Sequence, residues 1–465
     1  MKCCPRSEHR RIVVDSIHGD IELTPQEWRI VDTASFQRLR YIKQLGMAHL
    51  VYPNATHTRF SHSIGALRIM QRILQVADSF GLPLDRDTQQ RLRLAALLHD
   101  VGHYPYSHLM EGIDKVVLAE QFVDGVDAAK QVFSSPPPYP QHVRCGELAV
   151  KHQQDLIEEI GGEEEAARVA DLFSRGGAAD PQLSKFVSSS LDMDRLDYLL
   201  RDARAAGVPY GEIDLNYLLN SFRVSKDGVV GISTKALPAA EHYLFARYCM
   251  HRAVYHHRTV HGFEEAARHL IRRIRDRDPK RYDLPADGRE VEACVVGDGF
   301  KSFTDSFLDR LMLEAVDDPD PMVSMTARAL RERRPPRRLR EIVSLHKTGT
   351  TDPVAARFEV ACRAQLRKLA ESHRVALDRF IFSRTRPLSV EKHLIDDGGE
   401  QNSELLRVIE EGGMASRPLV DVDESVVRLL DDFDLSLLRL YVIDDSETET
   451  RMYERLRNAV SAWGT

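Results

Sequence analysis

The stretch Arg91-Leu92-Arg93-Leu94-Ala95-Ala96-Leu97-Leu98 is a helical, largely apolar run that ends on two ionisable side chains, His99 and Asp100. Such a run closes a buried helix, and a carboxylate buried there needs a charged partner, because desolvating it alone is too costly. Gly102, just beyond the pair, reads as the helix stop. Neighbouring helical side chains diverge by about 100° around the axis, so His99 and Asp100 reach one ion only if it sits between them beside the last turn. Further ligands must then come from elsewhere in the chain. His62, in Arg59-Phe60-Ser61-His62-Ser63, and Asp194, in Asp192-Met193-Asp194-Arg195-Leu196-Asp197-Tyr198, complete a His, His-Asp, Asp quartet. Two imidazoles and two carboxylates suit a divalent metal of the Mg, Mn, Fe or Zn kind. An ion held this way polarises a phosphoryl oxygen, activates water and keeps positions open for substrate, so phosphoester hydrolysis is the expected reaction.

A chain of 465 residues has material for a large core, read here as a helical domain over 1–277 and a smaller α+β lobe over 278–465. The net charge of −7 argues against wholesale coating of nucleic acid and leaves room for a local basic pocket, so nucleic acid is a secondary partner at most. The six cysteines, Cys3, Cys4, Cys145, Cys249, Cys294 and Cys362, form no CxxC framework, which suggests a reducing compartment. No apolar run approaches the ~18 residues of a membrane span, and no signal core opens the chain, so a soluble cytoplasmic protein without a membrane partner is expected.

Helical periodicity dominates Ile64–Val76, Gln90–His99, Cys145–Ile160 and Leu237–Ile271. Arg11–Asp15 and Val229–Ile232 read as short strands, the latter entered through an Asp227-Gly228 turn. The proline-rich segment Phe133–Pro140 reads as a surface loop that either covers the site or connects helices. Beyond Asp278, Arg379–Phe382 and Leu438–Ile443 are β-compatible. The run Arg328, Arg331, Arg333, Arg334, Arg337, Arg338 and Arg340 is either a solvated helix-turn-helix face or a surface that meets phosphates. The acidic stretches Asp421–Asp434 and Asp444–Glu449 read as solvated faces.

Phe36-Gln37-Arg38-Leu39-Arg40-Tyr41-Ile42-Lys43-Gln44-Leu45-Gly46, then Arg59-Phe60-Ser61-His62-Ser63-Ile64-Gly65, then the His-Asp block closely resemble the HD-domain deoxynucleoside triphosphate triphosphohydrolases, in the same order and over about residues 11–260. The resemblance implies a mainly α HD-domain phosphohydrolase core and makes His62, His99, Asp100 and Asp194 the metal ligands, as the chemistry suggested. It puts His103, His108 and His142 beside the phosphates. His108 becomes the general acid, with Glu111 three residues on to orient it. Arg59 and Arg195 match phosphate contacts, although vertebrate members carry lysine at the second position. Gln44, Leu45, Tyr198 and Asp202 match substrate-binding positions, with Tyr198 as an aromatic wall and Gln44 and Asp202 on the 3′ hydroxyl. Tyr255 matches the aromatic residue that leaves no room for a 2′ hydroxyl. His142 is followed by Val143 where glutamate is usual, and His256 replaces a glutamine near the base, so base preference is open. The family's sterile-alpha-motif domain is expected to be absent.

The same resemblance assigns Arg11, Ile12, Asp32, Gln37, Arg40, Lys235, His257 and Arg258 to an allosteric nucleotide site, with GTP or a dNTP as effector and a dimer or tetramer as the assembly. The alternative is that Asp32–Arg40 merely cap and lace one helix, as Asp32-Thr33 would at its start. The implied reaction converts a dNTP and water to deoxynucleoside and inorganic triphosphate, in pool control or phage defence. Two other functions use the same residues: an HD-type phosphodiesterase or nuclease, and a nucleotide-gated sensor with little hydrolysis of its own.

Overall fold

A computed structural model describes residues 11–125, 137–174, 181–385, 387–391, 405–410, 412, 415–443 and 450–464. The Cys3-Cys4 pair, Phe133–Pro136 and the acidic stretch Asp444–Glu449 lie outside the described residues. The chain opens on a hairpin, β1 (Arg11–Asp15) and β2 (Gly19–Leu23), paired antiparallel. The helical body follows, with α1 (Arg59–Val76), α2 (Arg86–Leu98), α3 (His142–His152) and α4 (Met193–Ala206). α1 packs against both α2 and α4, so its buried face, from Phe60 and Ile64 to Met70 and Ile73, lies at the centre of the core. A second hairpin, β3 (Phe222–Val224) and β4 (Val230–Ser233), precedes α5 (Leu237–Met250) and α6 (Arg258–Arg277). The expected helix over Leu237–Ile271 is thus two helices, joined by one π-helical turn over His251–Tyr255. Wide turns of this kind recur at functional sites.

Past α6 come α7 (Pro321–Arg331), β5 (Arg337–Lys347), α8 (Pro353–His373), β6 (Phe380–Arg384), β7 (Arg407–Ile409), β8 (Ser416–Pro418) and β9 (Phe433–Val442). One antiparallel sheet has the order β5-β9-β6; the other runs β3-β4-β7-β8, with β4 and β7 parallel. The second sheet therefore joins strands from both halves of the chain. The main hydrophobic core likewise runs from Ile21 through the helical body to Ile381, Val408 and Tyr441. The chain is mainly α, with its smaller α+β part in the C-terminal third.

Three readings are corrected. The arginine-rich run is no helix-turn-helix: Arg328 and Arg331 end α7, and Arg337, Arg338 and Arg340 begin β5, because Pro335-Pro336 ends helical geometry and the residues beyond it pair with β9. Gly102 is not a left-handed helix stop, since α2 already ends at Leu98 and Gly102 has no positive φ. Nor is Asp421–Asp434 wholly solvated, because Asp431 and Asp434 are buried, and Asp431 accepts from the Glu391 amide at 2.9 Å. Described cysteines Cys145, Cys249, Cys294 and Cys362 are free thiols. No helix among the described residues is long and apolar enough to cross a membrane.

His261 of α6 shares a 2.6 Å hydrogen bond with Ser383 Oγ of β6, which ties the helical body to the three-stranded sheet. Burial pushes this imidazole down to about 3. An unfolded histidine binds its proton near pH ~6.5, so below that pH the unfolded chain takes up a proton that the fold refuses. The stabilisation is complete above ~6.5 and is lost as pH falls toward 3. Melting temperature should drop across this window, and less steeply in His261→Gln. Equal slopes for the two proteins would contradict the assignment.

Candidate active site

Three helix ends build the centre. His62 lies in the first turn of α1, His99 is the C-cap of α2, and Asp194 lies in the first turn of α4, whose N-cap Asp192 accepts from the Arg195 amide at 2.8 Å. The Nε2 atom of His62 is 3.0 Å from Asp194 Oδ1, 3.3 Å from His99 Nε2 and 3.5 Å from Asp100 Oδ2. His99 Nε2 is 3.4 Å from Asp100 Oδ1 and 3.8 Å from Asp194 Oδ1. His62, His99 and Asp194 form the tight group, their ligand atoms within 4.8 Å of one another. Asp100 adjoins it while also accepting from Arg59 Nη1 at 2.6 Å and meeting His103 Nε2 at 3.1 Å.

The two imidazoles that could hold an ion, His62 and His99, are oriented from behind. His62 Nδ1 donates to Asp197 Oδ2, and His99 Nδ1 to the Ala96 carbonyl, each at 2.8 Å. Those acceptors carry no proton, so each Nδ1 is protonated and each Nε2 is left as the ligand atom, the arrangement that metal-binding histidines use. The charge fits a cation as well. Burial pulls the His62 imidazole down, yet Asp194 and Asp197 raise it to about 10. Asp197, absent from the sequence-derived set, has one retrospective signal: it lies three residues after Asp194 and so shares its helix face.

His103, His108, Glu111 and His142 form a second cluster. Glu111 is gripped from two sides, by His108 Nδ1 at 3.1 Å on Oε2 and by His142 Nδ1 at 2.7 Å on Oε1. Burial pushes the Glu111 carboxyl up, but His142 and His108 hold it well below the usual carboxylate range. Burial, Arg59 and His142 together hold His103 well down, as a neutral imidazole. His103, His108, Glu111 and His142 also offer ligand atoms within 4.8 Å. The His103 and His142 rings, however, stack at 4.0 Å with only 11° between planes. Their in-plane lone pairs run side by side and do not converge on one ion, so this cluster is better suited to moving protons and binding anions.

Between the clusters opens a cavity of about 500 Å³. Its wall includes Asp100, Asp194 and Arg59, then Gln44, Leu45, Tyr198, Asp202, Tyr255 and His256. Asp202 accepts from Tyr255 Oη at 2.9 Å and meets His57 Nε2 at 2.7 Å, a contact the sequence did not suggest. Gln44 carries a buried side-chain oxygen with no partner among the described residues, an acceptor suited to a hydroxyl. Arg195 is buried, 3.7 Å from Asp192, and is not among the lining residues. The far wall comes from the C-terminal part, with Arg363, Phe382 and Arg384.

Loop geometry at the centre depends on distant groups. Tyr106 and Ser107 both have positive φ, uncommon for residues with side chains. Asp305 accepts the Tyr106 amide at 2.6 Å, and Ser107 Oγ accepts from Arg59 and donates to the Lys43 carbonyl. The buried Arg38 guanidinium donates to the carbonyls of Val101, His103 and Phe303, clamping the loop that follows α2.

The expected regulatory residues lie on several elements, with Arg11 beside Asp32, and with Gln37 bonded both to Arg40 and to the Val31 carbonyl next to Asp32. Arg11 lies 4.0 Å from Asp32 and stacks over Trp28; Arg40 donates to Gln37 at 2.7 Å and sits over Phe60. Thr33, not Asp32, is the cap, accepting from the Phe36 amide. Ile12 is exposed on β1, Lys235 belongs to the turn Thr234–Ala236, and His257 caps α6, which begins at Arg258.

Residues 59–198 match the model of the HD domain. An uncharacterised protein of Methanocaldococcus jannaschii is 35% identical over 253 residues, which are 54% of this chain and 47% of that protein. The deoxynucleoside triphosphate triphosphohydrolase SAMHD1 of Danio rerio is 32% identical over 275 residues, 54% of this chain and 43% of that protein. The chain spans about half the length of the curated relatives it matches. A phosphohydrolase from Bacteroides thetaiotaomicron has the same fold, with a TM-score of 0.68 at 22% identity, covering 93% of this chain and 100% of that one. The matched HD segment holds His62, His99, Asp100 and Asp194 as well as His103, His108, Glu111 and His142.

Proposed function

We propose that this chain, a member of the HD-domain family, hydrolyses deoxynucleoside triphosphates to deoxynucleoside and inorganic triphosphate. The observation that carries the reading is the convergence of His62, His99 and Asp194, with Nε2 of His62 3.0 Å and Nε2 of His99 3.8 Å from Asp194 Oδ1 and Asp100 beside both imidazoles, next to a cavity that Asp100 and Asp194 line together with a set of polar groups. When bound, a divalent ion supplies Lewis-acid activation of the phosphoryl group and of water. The chain's own residues supply the rest. Arg59, released in part from Asp100, provides a guanidinium fork for the phosphates. Gln44 and Asp202 hold the 3′ hydroxyl, and Tyr255, fixed by its bond to Asp202, fills the space a 2′ hydroxyl would need. His108, with Nδ1 committed to Glu111, delivers a proton from Nε2 to the departing 5′ oxygen.

Regulation is part of the same reading: GTP or a dNTP bound around Arg11, Asp32, Gln37 and Arg40, with Lys235, His257 and Arg258 meeting neighbouring nucleotides or subunits, promotes assembly into a dimer or tetramer. The cellular consequence is dNTP depletion, in pool control or phage defence. The test is incubation of metal-loaded protein with each dNTP, alone and in mixtures with GTP, followed by ion-pair chromatography. Triphosphate and deoxynucleoside are expected. Monophosphate would point to a phosphodiesterase, and unaltered nucleotide with nucleotide-dependent assembly to a sensor.

A further inference from the structure

We propose that the β1–β2 hairpin is a positioning element of the metal centre, acting through His18 and Asp15 on Asp197 to hold His62 in place for its ion; the proposal rests on the metal-centre reading above. Asp197 is fully buried and saturated. Oδ2 accepts from His62 Nδ1 and Arg201 Nε, both at 2.8 Å, and Oδ1 accepts from His18 Nε2 at 2.7 Å and Arg201 Nη2 at 2.9 Å. Arg201 continues to Asp15 at 2.8 and 3.2 Å. Asp15 Oδ1 also accepts the backbone amides of Ile17 and His18, each at 2.9 Å. One carboxylate thus grips Arg201 and shapes the turn that presents His18.

There is no slack in this chain of contacts. A Cβ placed on Gly65 of α1 would lie 2.0 Å from Asp197 Oδ1 and 2.3 Å from Arg201 Nη2, so the carboxylate is pressed between helix and hairpin. The hairpin itself is a two-stranded ribbon, a form that is marginal without support. Its support is one-sided: Ile21 and Leu23 are buried and Gln71 of α1 donates to the Glu22 carbonyl, whereas Val14 is 80% exposed. At the open end of the ribbon stands Arg11, paired across with Leu23.

The test is Mn²⁺ binding by titration calorimetry to the full chain stripped with chelator, with melting temperatures of the metal-free proteins beside it. His18→Ala should bind Mn²⁺ roughly 10–100-fold more weakly, as loss of a ligand-orienting partner does. His18→Gln, which keeps an N–H donor, should recover part of the loss, and Val14→Ala should match the parent. A metal-free melting temperature that falls while Mn²⁺ affinity stays within about twofold of the parent, the purely structural outcome, overturns the proposal. Should His18→Ala fail to fold, His18→Gln and Asp15→Asn carry the test, and parental affinity in both overturns it. A parent that binds no Mn²⁺ overturns the metal-centre reading itself, a result distinct from the others.

Discussion

Asp100→Ala is expected to lose its divalent metal on dialysis and to have no measurable hydrolysis, whereas His108→Ala is expected to keep the metal and lose turnover. Asp100 approaches both imidazoles of the tight group, pairs with Arg59 at 2.6 Å and meets His103 at 3.1 Å, and it and these partners are buried. Its removal deletes a ligand and leaves the Arg59 guanidinium buried without its carboxylate. Breaking a buried pair from one side costs about 3–5 kcal/mol, so the melting temperature should fall as well. His108 lies in the other cluster, where its Nδ1 bonds Glu111 and its ring meets those of His103 and His142. Loss of a general acid lowers kcat by roughly 10²–10⁴ with metal content unchanged. Metal analysis of both variants after dialysis, beside kcat, separates the roles. Full metal retention in Asp100→Ala would remove it from the ligand set.

Gly102→Ala should be a strongly damaging single-methyl change. An added Cβ would stand 2.0 Å from the Gly146 amide nitrogen, 2.3 Å from the His142 carbonyl oxygen and 2.6 Å from the Cys145 carbonyl carbon. All three are backbone atoms of α3, so no side-chain rotation relieves the clash, and the helix itself must move. Overpacking of this kind costs about 3 kcal/mol. Because α3 begins at His142, the shift also pulls that imidazole from Glu111 and from its stack with His103. Thermal unfolding should show a large loss of stability, and kcat should fall with it. A variant as stable as the parent would mean that α3 and the loop after α2 do not approach each other this closely.

The helical body was legible because its signal is periodic: the apolar spacing in Ile64–Val76 and Gln90–His99 leaves little choice of structure, and helices Arg59–Val76 and Arg86–Leu98, the second capped by His99, cover both. The grouping of His62, His99 and Asp194 was legible for a different reason: a carboxylate and an imidazole at the end of an apolar helix need partners, and His62 and Asp194 offered them. Asp197 was missed although it lies one turn from Asp194, because an ion-pairing helix face explains an aspartate there equally well. His18, His57, Arg38 and Asp305 had no local signal. Each acts across a long sequence separation, as Asp305 does in holding the Tyr106 amide, and such contacts exist only after folding. Gly102 was assigned to the wrong cause: glycine beyond a helix suggests a left-handed stop, and only packing reveals that the constraint is the close approach of α3.

The central claim is that water attacks the α-phosphorus while the 5′ oxygen leaves with the deoxynucleoside. Hydrolysis of each dNTP in water enriched with heavy oxygen, in the nucleotide mixture that gives most activity, tests it most directly. Label is expected in the inorganic triphosphate and none in the deoxynucleoside. Label in the deoxynucleoside, or in a released deoxynucleoside monophosphate, would contradict it.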